Sequence, residues 1–170
     1  MWTCCHNQPH ELSFLHIPNP FSNPTFAWSI YNKTMETFQI HKDIRTFYVQ
    51  ASSFPAGVME AHQKLHGLIG DPKGRNYFGI SWGQPDGGIL YRAAVEELYE
   101  GEAEKMGCEI FVIPKGDYLS EILSDYMKDP SRIGKVFQQM LVAPDLDPDG
   151  FCLEMYLTYT EVRCLVKLSK

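Results

Sequence analysis

The apolar positions of this chain change their period along its length, and the changes mark out its elements. Residues 44–50 (Ile-Arg-Thr-Phe-Tyr-Val-Gln) are rich in β-formers and predict a strand. Pro55 suits a first helical turn, and Val58, Ala61, Leu65, Leu68 and Ile69 then recur at helical spacing up to Gly70. Residues 77–82 read as a strand, 84–88 (Gln-Pro-Asp-Gly-Gly) as a turn, and 89–98 as its hairpin partner. The same order follows again. Residues 108–113 predict a strand, Pro114-Lys115-Gly116 interrupts it, and 118–123 continue extended. Asp129 is placed to cap a helix with Pro130 at its first position. That helix carries Ile133, Val136, Phe137, Met140 and Leu141 as one apolar stripe. A turn over 145–150 leads to strands at 151–158 and 162–168.

Two passes of strand–helix–strand–strand are therefore expected, over about 38–101 and 108–169, and Phe54-Pro55-Ala56-Gly57 echoes Ile113-Pro114-Lys115-Gly116. Each pass has one helix, which can cover only one face of its strands. The expected fold is α+β: tandem β-α-β-β modules joined in a curved antiparallel sheet with two helices and a central cleft. Residues 1–34 differ from the rest. They hold Pro9, Pro18, Pro20 and Pro24, with Glu11 and Lys33 as their only Asp, Glu, Lys or Arg residues, and show neither period. This composition predicts loop or disorder, with Met35 as the expected biological start.

Composition narrows the function. A net charge of −6 and the absence of any basic cluster argue against a nucleic-acid partner. No apolar run approaches the ~20 residues of a membrane-spanning helix, and no secretory signal is visible. The five cysteines lack C-x-x-C spacing and are odd in number, which points to reduced thiols and a cytoplasmic location.

Few motifs carry chemistry. Asp145, Asp147, Asp149 and Gly150 open like a calcium loop, but Tyr156 stands where its closing Glu belongs, and an Asp/Pro turn is the better account. His62 and His66 are spaced to share a zinc ion, yet no third ligand presents itself, so they are expected to be exposed or capping. Signatures of serine hydrolases, kinases and dehydrogenases are absent, and neither metal nor cofactor is expected. What remains is a set of rings and one acid on the strands: Phe78, Trp82, Tyr91, Tyr118, Tyr156 and Glu154. In strand alternation Cys152, Glu154, Tyr156 and Thr158 share one face, while Phe151, Leu153, Met155 and Leu157 share the other. Trp82 and Tyr91 lie on the two arms of one hairpin and are expected to share a face. If the face of Glu154 lines a cavity, a carboxylate among rings is suited to hold a cation or activate water.

The segments Phe54–Gly57 and Ile113-Pro114-Lys115-Gly116-Asp117-Tyr118, the strand from Ile89-Leu90-Tyr91, and Leu153-Glu154-Met155-Tyr156-Leu157 together resemble the GyrI-like small-molecule-binding domain. This SHS2-type effector-binding domain is also found fused to AraC- and MerR-type transcription regulators. The resemblance covers about residues 38–168. It implies a stand-alone bacterial member without a DNA-binding domain, with Glu154 projecting into an aromatic cleft that meets cationic, lipophilic, drug-like ligands. Tyr91 matches the family's hairpin tyrosine. Thr158 stands where relatives often have proline. Three functions follow as expectations: sensing or sequestering small molecules, hydrolysis of cyclopropane-type electrophiles with Glu154 as base, or a gyrase-inhibitor-like protein-binding role.

Overall fold

A computed structural model describes residues 35–69 and 73–169. The expectations for residues 1–34 therefore lie outside the described residues. The strands are β1 (Glu36–Ile40), β2 (Ile44–Gln50), β3 (Tyr77–Gly83), β4 (Ile89–Glu96), β5 (Glu109–Ile113), β6 (Gly116–Ser124), β7 (Cys152–Tyr156) and β8 (Glu161–Lys167). The helices are α1 (Val58–Leu68), the single turn α2 (Glu102–Lys105) and α3 (Ser131–Met140), with a 3-10 turn over Tyr126–Lys128. All eight strands form one antiparallel sheet in the order β1-β6-β8-β7-β3-β4-β2-β5. The expected α+β fold with a curved sheet and two substantial helices is thus present.

That strand order is a palindrome about the β7–β3 junction, where Gly79 lies opposite Glu154. A pseudo-twofold there equates β3 with β7, β4 with β8, β2 with β6 and β5 with β1. β1 precedes β2 in the chain yet pairs with β6, while β5 precedes β6 yet pairs with β2. Each module thus lends its first strand to the other. β1 is not evident from the sequence because Glu36-Thr37-Phe38-Gln39-Ile40 offers only two apolar residues, as befits a half-solvated edge. The register also corrects the internal echo. Ile113 is equivalent to Ile40, not Phe54, so the similarity of the two Pro-containing segments is unrelated to the duplication.

The two faces of the sheet are packed differently. On one, a single apolar cluster reaches from Ile40 on β1 to Ile113 on β5 through Phe78, Ile80, Leu153 and Leu165, and the sheet curls around it. On the other, α1 packs over β2 and β4, and α3 over β6 and β8, each with its own cluster. Burying Val136, Phe137 and Met140 of α3 contributes about 1.5–3 kcal/mol per side chain. Leu68 and Leu141, expected in these stripes, are 39% and 52% exposed because they lie at or beyond the last turn. Among the described residues no helix is long and apolar enough to cross a membrane.

α3 begins one residue later than expected, with Pro130 at its N-cap, and Asp129 just before it accepts hydrogen bonds at Oδ1 from the Ser131 amide (3.2 Å) and hydroxyl (2.5 Å). Asp129→Ala is therefore expected to cost about 1 kcal/mol, read as a lower urea midpoint with an unchanged denaturant slope.

Candidate ligand site

The two long helices pack over the flanking strand pairs, so the strip of that face over β3 and β7, here called the trough, lies between them. Alternation along β7 directs Glu154 and Tyr156 into this trough and Leu153 into the curled core. On β3 the residue facing Glu154 is Gly79. A Cβ at Gly79 would sit 2.1 Å from Tyr91 Oη and 2.8 Å from Glu154 Oε2. The missing side chain is what admits the Tyr91 ring from β4 across β3 to the carboxylate.

Glu154 is only 7% exposed. The Tyr156 hydroxyl donates to its Oε2 at 2.5 Å, and the Tyr91 hydroxyl lies 3.3 Å from the same oxygen and 3.1 Å from Tyr156 Oη. His62 of α1 places Nε2 3.1 Å from Tyr91 Oη. With the proton of His62 on Nε2, a run of hydrogen bonds passes from imidazole through two phenols to the carboxylate. Aromatic edges close the space: His62 packs on Tyr156 with centroids 5.4 Å apart, Phe54 on Tyr91 at 5.9 Å, and Tyr126 on Tyr156 at 5.8 Å.

Burial sets the electrostatics. It raises the Glu154 carboxyl above the usual carboxylate range, and the Tyr156 and Tyr91 hydrogen bonds only partly oppose it. It also raises both phenols well above their ordinary value, with the charge of Glu154 adding to the effect. The His62 imidazole is lowered to about 4, by burial first and by nearby His66 second. His62 is therefore neutral at pH 7 and offers Glu154 no positive partner. Among the described residues no Lys or Arg pairs with Glu154.

Because His62 must remain neutral in the folded state, its contribution to stability is complete above the ordinary imidazole range and is lost as pH falls toward 4. His62→Gln keeps a donor for Tyr91 but does not titrate. The wild type is expected to lose about 1–2 kcal/mol more than this variant between pH 7 and pH 4, measured by urea unfolding.

Of the residues nominated from sequence, Glu154, Tyr91 and Tyr156 meet in the trough. Trp82, Phe78 and Tyr118 lie on the opposite face. The expectation that Trp82 shares a face with Tyr91 is corrected by the register, which pairs Tyr91 with Ser81 and Trp82 with Leu90. An offset of one residue in a hairpin reverses every side chain. Trp82 packs instead against Phe111 and Phe151, at 5.4 and 5.8 Å between centroids. Phe78 is fully buried in the curled core, as is Tyr118, whose hydroxyl donates to the Pro114 carbonyl at 2.6 Å. His62, expected to be exposed or capping, is half-buried and belongs to the site; its position beside Ala61, on the edge of the α1 stripe, is the signal for it. Phe54, part of a segment that carries the family resemblance, is a further addition, as are Gly79 and Tyr126, which nothing in the sequence distinguishes. Asp147 of the calcium-like loop bonds Lys167 Nζ at 2.9 Å and the Asp149 amide at 3.0 Å, as in an ordinary turn.

No protein-family profile matches the chain, and no curated protein does. Solved structures do match its fold. An integron cassette protein from the mobile metagenome of Vibrio cholerae superposes with a TM-score of 0.59 at 11% identity, covering 80% of this chain and 96% of that one. A hydrolase from Listeria innocua gives 0.54 at 11% identity, covering 80% and 92%. SAV2435, in a structure bound to tetraphenylphosphonium, gives 0.53 at 10% identity, covering 79% and 93%. At such low identity the likeness is one of architecture: this chain has the same fold as these proteins over nearly their whole lengths.

Proposed function

We propose that the chain is a protein of the GyrI-like type that binds small lipophilic cations in the trough, for sensing or sequestration. The observation that carries this reading is a buried carboxylate surrounded by rings and lacking a basic partner among the described residues. Buried charges are ordinarily paired, and an unpaired one is costly. A cationic ligand would supply the missing partner, and the faces of Tyr156, Tyr126 and Phe54 would hold its apolar body. The shared fold with SAV2435, which has been seen with tetraphenylphosphonium, supports the same ligand chemistry. The test is calorimetric titration with tetraphenylphosphonium and with neutral triphenylphosphine oxide. The cation is expected to bind with a Kd on the order of micromolar and about tenfold more tightly than the neutral compound. Equal affinity for the two would refute the reading.

The hydrogen-bonded run into Glu154 favours one second reading, hydrolysis of a strained electrophile. Glu154 would take a proton from water as the water oxygen bonds to one ring carbon of an electron-poor cyclopropane. The electron pair of the breaking carbon–carbon bond passes to the other ring carbon and the acceptor group conjugated with it. That group then takes up the proton from the Glu154 carboxyl, so that one water is added overall. Multiple turnovers by the wild type, lost in Glu154→Gln, would establish it; protection limited to one equivalent would eliminate it.

A further inference from the structure

Arg92 of β4 projects into the curl of the sheet, away from the trough that Tyr91 enters. Its guanidinium carbon lies 4.0 Å from the centroid of the Tyr48 ring, 5.0 Å from that of Trp82 and 5.9 Å from that of Phe111. Among the described residues no carboxylate lies within ion-pairing distance of Arg92, and its buried Nε has no partner. An arginine fixed over rings without an acid is uncommon enough in a protein interior to need a reason.

The pseudo-twofold supplies the comparison. Ile80 faces Arg92 just as Met155 faces Arg163, so the two arginines are equivalent. Arg163 also lies over a ring, 4.3 Å from the centroid of Phe38, and its Nε is likewise buried without a partner. Yet its Nη1 donates to Glu36 at 2.8 Å and to the Ser120 hydroxyl at 2.9 Å. The register places Glu109 opposite Tyr48 as it places Glu36 opposite Ser120. Glu109 is therefore the acid that symmetry would assign to Arg92. In the first module Tyr48 stands in place of the serine, and its hydroxyl donates to Glu109. The exchange of Ser for Tyr adds a ring beneath the guanidinium and engages the acid, which no longer pairs with the arginine. One module carries a complete arginine–acid pair on a ring, and the other carries the same arginine and more rings, with its acid held by Tyr48 instead.

We propose that Arg92, Tyr48, Trp82 and Phe111 form a second ligand site, on the opposite face of the sheet from Glu154, which takes the carboxylate of a small planar aromatic acid. The guanidinium fork matches a carboxylate in shape and charge, and the half-buried Trp82 and Phe111 edges offer stacking surface to the ligand ring. General attraction does not account for such binding, because the chain carries a net charge of −6 and repels anions at long range. The site accounts for a tryptophan–arginine arrangement that the cation trough leaves unused.

The probe is naphthalene-2-carboxylate, with the neutral 2-naphthylmethanol as control, titrated into wild type, Arg92→Gln, Arg92→Lys and Arg163→Gln. The readouts are calorimetry and the 15N shift of the Arg92 Nε–H. The wild type is expected to bind the acid at least about tenfold more tightly than the alcohol, with a shift at Arg92. Arg92→Gln is expected to abolish that preference, Arg92→Lys to retain part of it, and Arg163→Gln to leave it intact. Tetraphenylphosphonium binding, measured in the same samples, should be the same with and without the acid. If Arg92→Gln does not fold, Arg92→Lys and the acid-to-alcohol ratio of the wild type decide the matter. Equal binding of acid and alcohol, a preference unaffected by both Arg92 changes, or competition between the acid and tetraphenylphosphonium would overturn the proposal.

Discussion

Glu154→Gln is expected to weaken tetraphenylphosphonium binding by about 30- to 100-fold while leaving the unliganded protein as stable as before or more so. A cation held about 5 Å from the carboxylate gains about 3 kcal/mol at an effective dielectric of 20, and most of that is lost with the charge. The glutamine oxygen still accepts from Tyr156 and Tyr91, so the hydrogen bonds persist. What disappears is the cost of burying an ion. Opposite signs for affinity and stability separate a ligand clamp from a structural acid, which would lose both. The pH dependence follows from the same shift. The Glu154 carboxyl is raised in the folded state, so stability is greatest below the ordinary carboxylate range and declines as pH rises through the folded value. Cation affinity moves the other way, rising as the carboxyl ionises. Both of these contributions should be absent in Glu154→Gln, which keeps only the dependence due to His62, as thermal unfolding and calorimetry at a series of pH values would show. Loss of affinity and stability together would reject the clamp.

Gly79→Ala should destabilise the protein by about 3 kcal/mol and remove cation binding, although it adds only one methyl group. Its Cβ would lie 2.1 Å from Tyr91 Oη and 2.8 Å from Tyr91 Cζ. Tyr91 is 2% exposed, wedged between Phe54 and His62 and packed with Ala61 and Leu65, so the ring has nowhere to retreat. Overpacking of this kind typically costs 1–3 kcal/mol, and the upper end applies where the clashing group is a ring rather than a flexible tip. Expelling Tyr91 also breaks its contacts with Glu154, Tyr156 and His62. The double variant Gly79→Ala/Tyr91→Ala should recover part of the lost stability, a coupling that unfolding measurements on the cycle would register. Additive losses would show that the two positions do not meet as described.

The role of Gly79 reflects the symmetry of the fold. At the pseudo-twofold, Gly79 and Glu154 occupy equivalent positions and face each other. Two large side chains could not both enter the same small volume, and two buried carboxylates would repel one another. The duplication is broken there, with an acid from one module and a vacancy from the other. The site at the junction is therefore single although the modules are two.

The elements of this chain were legible because periodicity is a local property. The stripe Ile133, Val136, Phe137 and Met140 could only be a helix against a core, and the alternation around Glu154 could only be a strand. That alternation also established, without any structure, that Glu154 and Tyr156 share a face. The family resemblance singles out Tyr91 among the rings, whereas Trp82 rests on an assumed hairpin register. Alternation states which residues of one strand go together but not which face of the next strand they join. That depends on where the turn over residues 84–88 sets the pairing, and a one-residue offset sent Trp82 into the curl of the sheet and Tyr91 into the trough. The exchange of β1 and β5 between modules was equally hidden, since a strand of five half-solvated residues has little pattern of its own. His62, Gly79 and the pairing of Arg92 with rings are facts about distant segments brought together. The amino-acid sequence by itself determined seven of the eight described strands, the two long helices, their repeated order and the face of Glu154, all consequences of spacing along one element. Only the tertiary structure decided which rings meet that carboxylate and which meet Arg92, because register and strand exchange arise from long-range pairing that leaves no periodic trace in the chain.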